Sequence, residues 1–360
     1  MYENLLKNDI YVQDLNVALK NIKNIQRLRN KSILITGASG LIGSSMVDLL
    51  CEANRNMKMG IQIYAMGRNL DRLFRRFPYA KLYHNIHFIE HDIVQSLTKF
   101  FDIHFDYIIH AAGNASPQAI YTDPVGTIRA NIDGTFNLLE LLNHVKGKRL
   151  LFISSGEVYG QSSPDVLAFN EEYQGPITFL SVRSSYPLSK RTAENLCISY
   201  AKQYRLDTVI VRPCHIYGAT ILQSDNRAYA QFIRNAHHHQ SIVLKSRGNQ
   251  VRSYLYVADA VSSIFTALLN GKNGEAYNLA NKRVCISIAE LAQAIAEDAD
   301  VQIRFEYHND QPSPFSRAVL NCEKIEHLGW TAVFDLKTGI RHTLKIFNDI
   351  HNDYKNMNEN

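Results

Sequence analysis

Ser32-Ile33-Leu34-Ile35-Thr36-Gly37-Ala38-Ser39-Gly40-Leu41-Ile42-Gly43 is a short apolar run that stops at glycine and restarts as a helical pattern through Met46, Val47, Leu49 and Leu50. A buried strand, a glycine turn and an amphipathic helix in that order make a βα unit. Its glycines allow unusual backbone angles, close approach of main chain to a pyrophosphate, and tight packing of helix on strand. Phosphates then meet free N–H groups at the helix N-terminus. The spacing is GxxGxxG rather than the commoner GxGxxG. A glycine triplet alone is weak evidence; the flanking strand and helix give it weight.

Working outward, further apolar runs follow at Ile61–Met66, Ile86–Glu90, Tyr107–Ala111, Arg149–Ser154 and Thr208–Arg212, separated by helical segments. This alternation predicts an α/β fold, a doubly wound parallel sheet of Rossmann type covered on both faces. Residues 1–30 carry apolar residues at helical spacing and read as an N-terminal helical extension. Residues 31–212, with part of 254–280, form the dinucleotide-binding domain. Residues 213–350 form a smaller substrate-binding lobe, with a helix from Ile286 to Ala299, a Pro-containing loop from Gln311 to Ser316 and a last helix from Leu336 to Phe347. Residues 351–360 are polar and read as a flexible tail.

The chain has 360 residues, 46% hydrophobic and 20% charged, with net charge +5, which excludes disorder as the default state. The small basic surplus comes without a basic run or any nucleic-acid motif, so no nucleic-acid partner is expected. No stretch is long and apolar enough to span a membrane. Met1-Tyr2-Glu3-Asn4 lacks the basic and apolar regions of a signal peptide. The cysteines at 51, 197, 214, 285 and 322 are odd in number and unpaired in spacing, which suits a reducing cytoplasm. His237-His238-His239 lacks partner ligands at sensible spacing and reads as a solvated helix rather than a metal site.

Tyr186-Pro187-Leu188-Ser189-Lys190 opens another helix, and a spacing of four sets both polar side chains on one face. A phenol with its ordinary pKa near 10 is a poor base at neutral pH. A lysine ammonium and a nicotinamide cation beside it favour the phenolate. At the end of the second strand, Gly67-Arg68-Asn69 offers no carboxylate for an adenosine ribose, and Arg68 is either a partner for a 2′-phosphate or a surface arginine. Asp92, after the third strand, is placed to meet an adenine or is an ordinary loop residue.

Together TGASGLIG (36–43), HAAG (110–113), SSGEVYG (154–160), YPLSK (186–190), RPCHIYG (212–218), RSYLYVADA (252–260) and LGW (328–330) resemble the extended short-chain dehydrogenase/reductase family of nucleotide-sugar epimerases, dehydratases and decarboxylases. The resemblance runs from Ser32 to about Phe347. It implies an NAD cofactor, with NADP as the alternative, contacted by Gly37, Ser39, Gly40, Leu41, Ile42, Gly43, Arg68, Asp92, Ile93, Ala111, Ala112, Gly113, Lys190 and Pro213. It implies that Ser155 shares a hydrogen bond with the substrate hydroxyl, that Tyr186 removes its proton, and that Lys190 holds the cofactor ribose and lowers the phenol pKa. It also implies a nucleotide-diphosphate sugar as partner, contacted by Asn114, Ser116, Arg183, Arg252 and Arg317, and a homodimer packed through two helices per subunit.

In that family a bound nicotinamide takes a hydride from sugar C4, and neighbouring side chains decide what the ketone becomes. Dehydratases carry an Asp-Glu pair where this chain has Gly156-Glu157, which keeps the base and lacks the acid; galactose-type epimerases carry a small apolar residue at the Glu157 position. Ser155-Gly156-Glu157, Asn114-Ala115-Ser116-Pro117 with Tyr121, Arg183-Ser184-Ser185-Tyr186, and Arg317 ahead of the LGW are similar to the UDP-glucuronate decarboxylase group. In that group's chemistry Arg183 or Arg317 would hold a carboxylate or enolate and Glu157 would reprotonate C5. The long connection Gln161–Val182 reads as a binding loop. A 4-epimerase, a 4,6-dehydratase and a non-catalytic dinucleotide sensor are the alternatives; the intact Ser155, Tyr186 and Lys190 argue against the sensor.

Overall fold

The computed structural model describes residues 4–306 and 317–358, with side chains as far as 351; the Pro-containing loop expected at Gln311–Ser316 lies outside the described residues. The strands are β1 (Ser32–Thr36), β2 (Gln62–Gly67), β3 (Ile86–Glu90), β4 (Tyr107–His110), β5 (Arg149–Ile153), β6 (Thr208–Pro213), β7 (His215–Tyr217), β8 (Ile242–Leu244), β9 (Val251–Tyr256), β10 (Glu275–Leu279), β11 (Cys285–Ser287), β12 (Ile303–Phe305) and β13 (Arg317–Ala318). The helices are α1 (Asp9–Asn21), α2 (Leu41–Met57), α3 (Leu70–Arg76), α4 (Pro117–Thr122), α5 (Pro124–Val145), α6 (Ser185–Tyr204), α7 (Ala228–His237), α8 (Val257–Asn270), α9 (Ile288–Ala299), α10 (Glu323–Glu326) and α11 (Leu336–Asn358).

Seven parallel strands form the central sheet in the order β10-β6-β5-β4-β1-β2-β3. Side chains alternate across it, so each strand feeds both faces. Ile33 and Ile35, Ile109, Leu151 and Val211 join the cluster under α2, α8 and the extension helix α1; Leu34, Ile108, Leu150 and Ile210 join the cluster under α5 and α6. The chain reverses direction between β1 and β4. At such a switch point the βα loops splay apart and leave a crevice at the carboxyl ends of the strands.

The six expected strands are present, and β10 is a seventh that the sequence reading did not place. Its Glu-Ala-Tyr-Asn-Leu lacks a continuous apolar run because Asn278 is a tie-point: Nδ2 donates to the carbonyls of Phe169 and Asn321, both at 2.9 Å. The β7, β9, β11 and β13 strands make a second, four-stranded sheet, and β8 pairs with β12 beside α7, α9 and α11. The last helix runs on to Asn358, beyond the end expected at Phe347 and through most of the segment read as a flexible tail. His237 is a further correction. It is buried at the end of α7, edge-on to Phe347, with Nδ1 2.8 Å from Asn348 Oδ1, because α11 covers it. Among the described residues no histidine, cysteine and carboxylate group is arranged to hold a metal ion.

Two of the quoted motifs are structural. Asp259 at the start of α8 accepts the N–H groups of Val333 and Phe334, each at 2.9 Å, and fully buried Trp330 donates Nε1 to Ser262 at 2.8 Å. These bonds fasten the segment that leads into α11 onto the sheet domain.

Candidate active site

A cleft of about 480 Å³ opens at the switch point. One end of it is made of backbone. Gly37 has φ +64°, and a Cβ there would lie 2.8 Å from the Ala111 carbonyl; at Gly43 a Cβ would lie 2.2 Å from the Gly37 carbonyl. Only glycine lets these three segments meet. Gly40 caps α2 without any side-chain bond, so the first-turn N–H groups of Leu41, Ile42 and Gly43 have no side chain in front of them. Gly37, Gly40, Leu41, Ile42, Gly43, Ala111 and Gly113 line this end, and Pro213 lines the opposite wall. Thr36 Oγ1 ties β1 to β4, 3.0 Å from His110 Nδ1 and 3.2 Å from the Ala112 N–H that it accepts.

The remaining cofactor candidates stand behind or beside that lining. Ala112 is turned to Thr36, and Ser39 is the middle of the turn. Asp92 Oδ1 accepts the Val94 N–H at 3.2 Å, and Ile93 is buried against Gly134. Arg68 is exposed at the end of β2; the arginine that reaches the cleft wall is Arg72, one turn further on α3.

The floor is the start of α6. Tyr186 and Lys190 are both buried and both line the cleft with Ile153, Ser154 and Ser155. Lys190 Nζ donates to the Ile153 carbonyl at 2.7 Å and sits 4.5 Å from the Phe152 ring centre and 5.9 Å from that of Tyr186. Burial lowers its pKa to about 7, while Glu194 one turn along the helix works the other way. Tyr186 is pushed up to about 12 by burial and by the Glu157 carboxylate; a hydrogen bond with Ser155 and the guanidinium groups of Arg227 and Arg183 pull it back. Asn131 on α5 donates to Ser189 Oγ at 2.9 Å, and Ser189 donates to the Tyr186 carbonyl at 3.1 Å, which fixes the helix turn that carries the pair.

Ser154 Oγ and Asn131 Oδ1 are buried without a partner around this floor, and with the glycine cradle and the buried lysine they fit a dinucleotide laid across the sheet edge. The α2 N-terminus would hold its pyrophosphate and Lys190 its ribose.

The sugar-side candidates divide. Asn114 and Ser116 line the cleft, and Ser116 also caps α4 through the Ala119 N–H. Glu157 and Arg183 are ion-paired, Nη2 to Oε2 at 2.6 Å, just outside the lining, where the Glu157 charge still acts on Tyr186. Arg252 is half-buried, donates to the Val251 carbonyl at 2.9 Å, and also feels Glu157. Arg317 is directed elsewhere: its Nε donates to the Leu167 carbonyl at 2.6 Å. That bond, the β-bridge between Phe169 and Leu320, and the Gly175 N–H bond to the Tyr159 carbonyl stitch the 161–182 connection to its neighbours. No residue of the connection lines the cleft, contrary to its reading as a binding loop.

Sequence reading missed Arg72, and it missed Leu222, Ser224, Asp225 and Arg227, which also line the cleft. They lie in the polar stretch after β7, where no local pattern marks a site.

Residues 33–280 match the model of the NAD dependent epimerase/dehydratase family. The chain belongs to that family. It is 30% identical over 329 residues to UDP-glucuronic acid decarboxylase 1 of Danio rerio, covering 91% of this chain and 75% of that one. It is 32% identical over 324 residues to UDP-glucuronic acid decarboxylase 6 of Arabidopsis thaliana, covering 89% and 90%. Among solved structures it is similar to a UDP-glucuronic acid 4-epimerase from Bacillus cereus in complex with UDP-glucuronic acid and NAD, with TM-score 0.75, 23% identity and coverage of 89% and 99%. It is also similar to an epimerase from Methanothermobacter thermautotrophicus, with TM-score 0.78, 19% identity and coverage of 97% and 98%. These structures share the fold. Members of the family are NAD-dependent enzymes, and no helix among the described residues is long and apolar enough to cross a membrane.

Proposed function

We propose that this family member decarboxylates a UDP-glucuronate-type nucleotide sugar through a transient 4-keto intermediate, with NAD held throughout. The observation that carries the reading is Glu157: a carboxylate whose charge reaches Tyr186, paired to Arg183 at 2.6 Å, with Gly156 where a dehydrating acid would stand. The decarboxylase relatives support the same choice.

A bound nicotinamide would supply the acceptor for the C4 hydride and its later return. Tyr186 takes the C4 hydroxyl proton, and Ser155 orients that hydroxyl. The ketone makes the C6 carboxylate a β-keto acid, so CO₂ leaves with little further acid–base work. Glu157, next to Arg183, delivers the proton to C5. Arg252 faces the nucleotide diphosphate; Arg317, bonded to Leu167, takes no part in holding the carboxylate.

The outer faces of α5 and α6 expose Val125, Ile128, Phe136, Ile198 and Tyr204, and we place the contact with a second copy of the chain there. All five cysteines are free, in keeping with a cytoplasmic enzyme.

Mass spectrometry of a nucleotide-sugar panel that includes UDP-glucuronate is the test. Loss of CO₂ supports the reading. Loss of water, or an isomer of unchanged mass, replaces it with dehydration or epimerisation.

A further inference from the structure

The cleft holds a cation that the Tyr-Lys pair does not account for. Arg227 caps α7 and lines the same cavity as Ser155 and Tyr186. It is fixed from three sides. Its Nε and Nη2 donate to Asp225 Oδ1 and Oδ2 at 2.9 and 2.5 Å, its backbone N–H donates to Oδ1 at 3.1 Å, and its guanidinium lies 4.9 Å from the Tyr229 ring centre. Tyr229 closes the clamp by donating to Asp225 Oδ2 at 3.1 Å, and both Asp225 and Tyr229 are buried. A guanidinium held this way presents a charge whose position does not depend on substrate.

The other charged groups around the phenol are committed as well. Lys190 donates to the Ile153 carbonyl, Arg183 is tied to Glu157, and Glu157 opposes ionisation of the phenol. His215, near Arg227 and Arg252, is kept neutral by burial, with a pKa of about 3. Of the two guanidinium groups that favour the ionised phenol, Arg227 has the larger influence.

We propose that Arg227 is a catalytic residue: the fixed cation that stabilises the negative charge shared in turn by Tyr186 and the sugar C4 oxygen. This rests on the decarboxylation reading. In that reaction the C4 hydroxyl proton passes to Tyr186 as the C4 hydride leaves. The C5–C6 bond then breaks, its electron pair moves into C4–C5 and onto O4, and CO₂ departs. C5 next takes a proton, the hydride returns to C4, and Tyr186 gives its proton back to O4. Net, one solvent proton is consumed and one CO₂ released. Negative charge therefore sits twice at one place, as phenolate and as enolate oxygen. A preorganised cation there stabilises both anions without reorganising. The same cation at the C6 carboxylate would oppose the step, because charge departs from that group.

Steady-state kinetics against pH on the NAD-loaded wild type, Arg227→Gln and Arg227→Lys test this. The Gln variant is expected to lose about 100-fold in kcat. Its acid limb should move up by about one pH unit, with KM little changed. The Lys variant should recover much of kcat and return the limb. A Gln variant with raised KM but unchanged kcat and acid limb overturns the proposal, and leaves Arg227 as a substrate-binding group. If Arg227→Gln does not fold, the Lys variant decides: an acid limb at the wild-type position with kcat well above that of an Asp225→Asn variant supports the proposal, and a limb displaced upward, or kcat as low as that of the Asp225→Asn variant, overturns it. If the wild type turns over no sugar, the decarboxylation reading fails separately. The near-ultraviolet tyrosinate titration, taken as the difference from Tyr186→Phe with and without Arg227→Gln, then reads the same charge: an upward shift supports the proposal and an unmoved titration ends it.

Discussion

The two ends of the cleft are made of different material. At the coenzyme end the working parts are backbone: the Gly37 carbonyl and the N–H groups of the first α2 turn, brought within contact distance of Ala111 because Gly37 and Gly43 carry no Cβ. At the other end, where the sugar is proposed to sit, the working parts are side chains from α6, the Ser155 turn and the stretch before α7, separated in the chain by tens of residues. Backbone parts are intolerant of any added atom but indifferent to charge. Side-chain parts tolerate small steric changes and depend on charge. Substitutions at the two ends should therefore fail in different ways.

The largest effect is expected at the floor between them. Tyr186→Phe removes one oxygen from a buried ring and leaves the cradle untouched. Turnover should fall by about 10³-fold, while coenzyme affinity, measured by NADH fluorescence titration, stays close to wild type. A parallel loss of coenzyme affinity would show that the two ends are not separable. Gly43→Ala should do the reverse. Its methyl would sit 2.2 Å from a carbonyl oxygen that cannot move without moving β1. Stability should drop by about 1–3 kcal/mol, seen as a lower Tm, and coenzyme affinity should fall by about 100-fold, near 2.7 kcal/mol. Residual turnover at saturating NAD should remain closer to wild type than that of Tyr186→Phe.

This contrast explains what was legible in the sequence. The glycine turn and the Tyr186–Lys190 pair are local: five strand residues, a turn, and a spacing of four on one helix determine them whatever the rest of the chain does. The seven-strand sheet was legible for the six strands that carry apolar or β-branched runs and not for β10, whose polar Asn278 is used to bind the 161–182 connection. Arg227 and Asp225 carry no local signature, since only the packing of α7 against α9, α11 and β8 sets the stretch that carries them beside the cleft. His237 was misread for the same reason, because its cover comes from α11, more than a hundred residues away. Where one interaction depends on segments far apart, residue type alone does not decide whether an arginine faces a substrate or a carbonyl.

Lys190 sharpens the comparison because it serves both ends. Its pKa is lowered in the folded protein to about 7 by burial, so between pH 7 and the ordinary lysine range the unfolded chain holds a proton that the folded one has released. Unfolding then takes up a proton, and the stability of coenzyme-free protein should rise with pH across that window. Relative to Lys190→Met, wild type should gain about 2 kcal/mol between pH 7 and 9, read from denaturant midpoints with unchanged m-values. A flat difference would mean that Lys190 keeps its ammonium when folded, and that its contact with the Ile153 carbonyl is a charged one.

The smallest effect separates two arginines that were both read as substrate contacts, Arg252 and Arg317. In a parallel pair, residues in register share a face. Arg317 is in register with Val251 and Ala318 with Arg252, so the two arginines leave opposite faces of the second sheet. Arg252 is on the side that feels Glu157, and Arg317 bonds the Leu167 carbonyl. Arg252→Ala should raise KM for the nucleotide sugar by about tenfold, the loss of roughly 1.4 kcal/mol in binding. Arg317→Ala should leave KM within about twofold and cost about 1 kcal/mol of stability through the lost bond to the connection. If Arg317→Ala instead raised KM as much as Arg252→Ala, the Leu167 bond would have to be one that substrate breaks. The sugar end would then extend across both faces of the sheet, and its separation from the 161–182 connection would not hold.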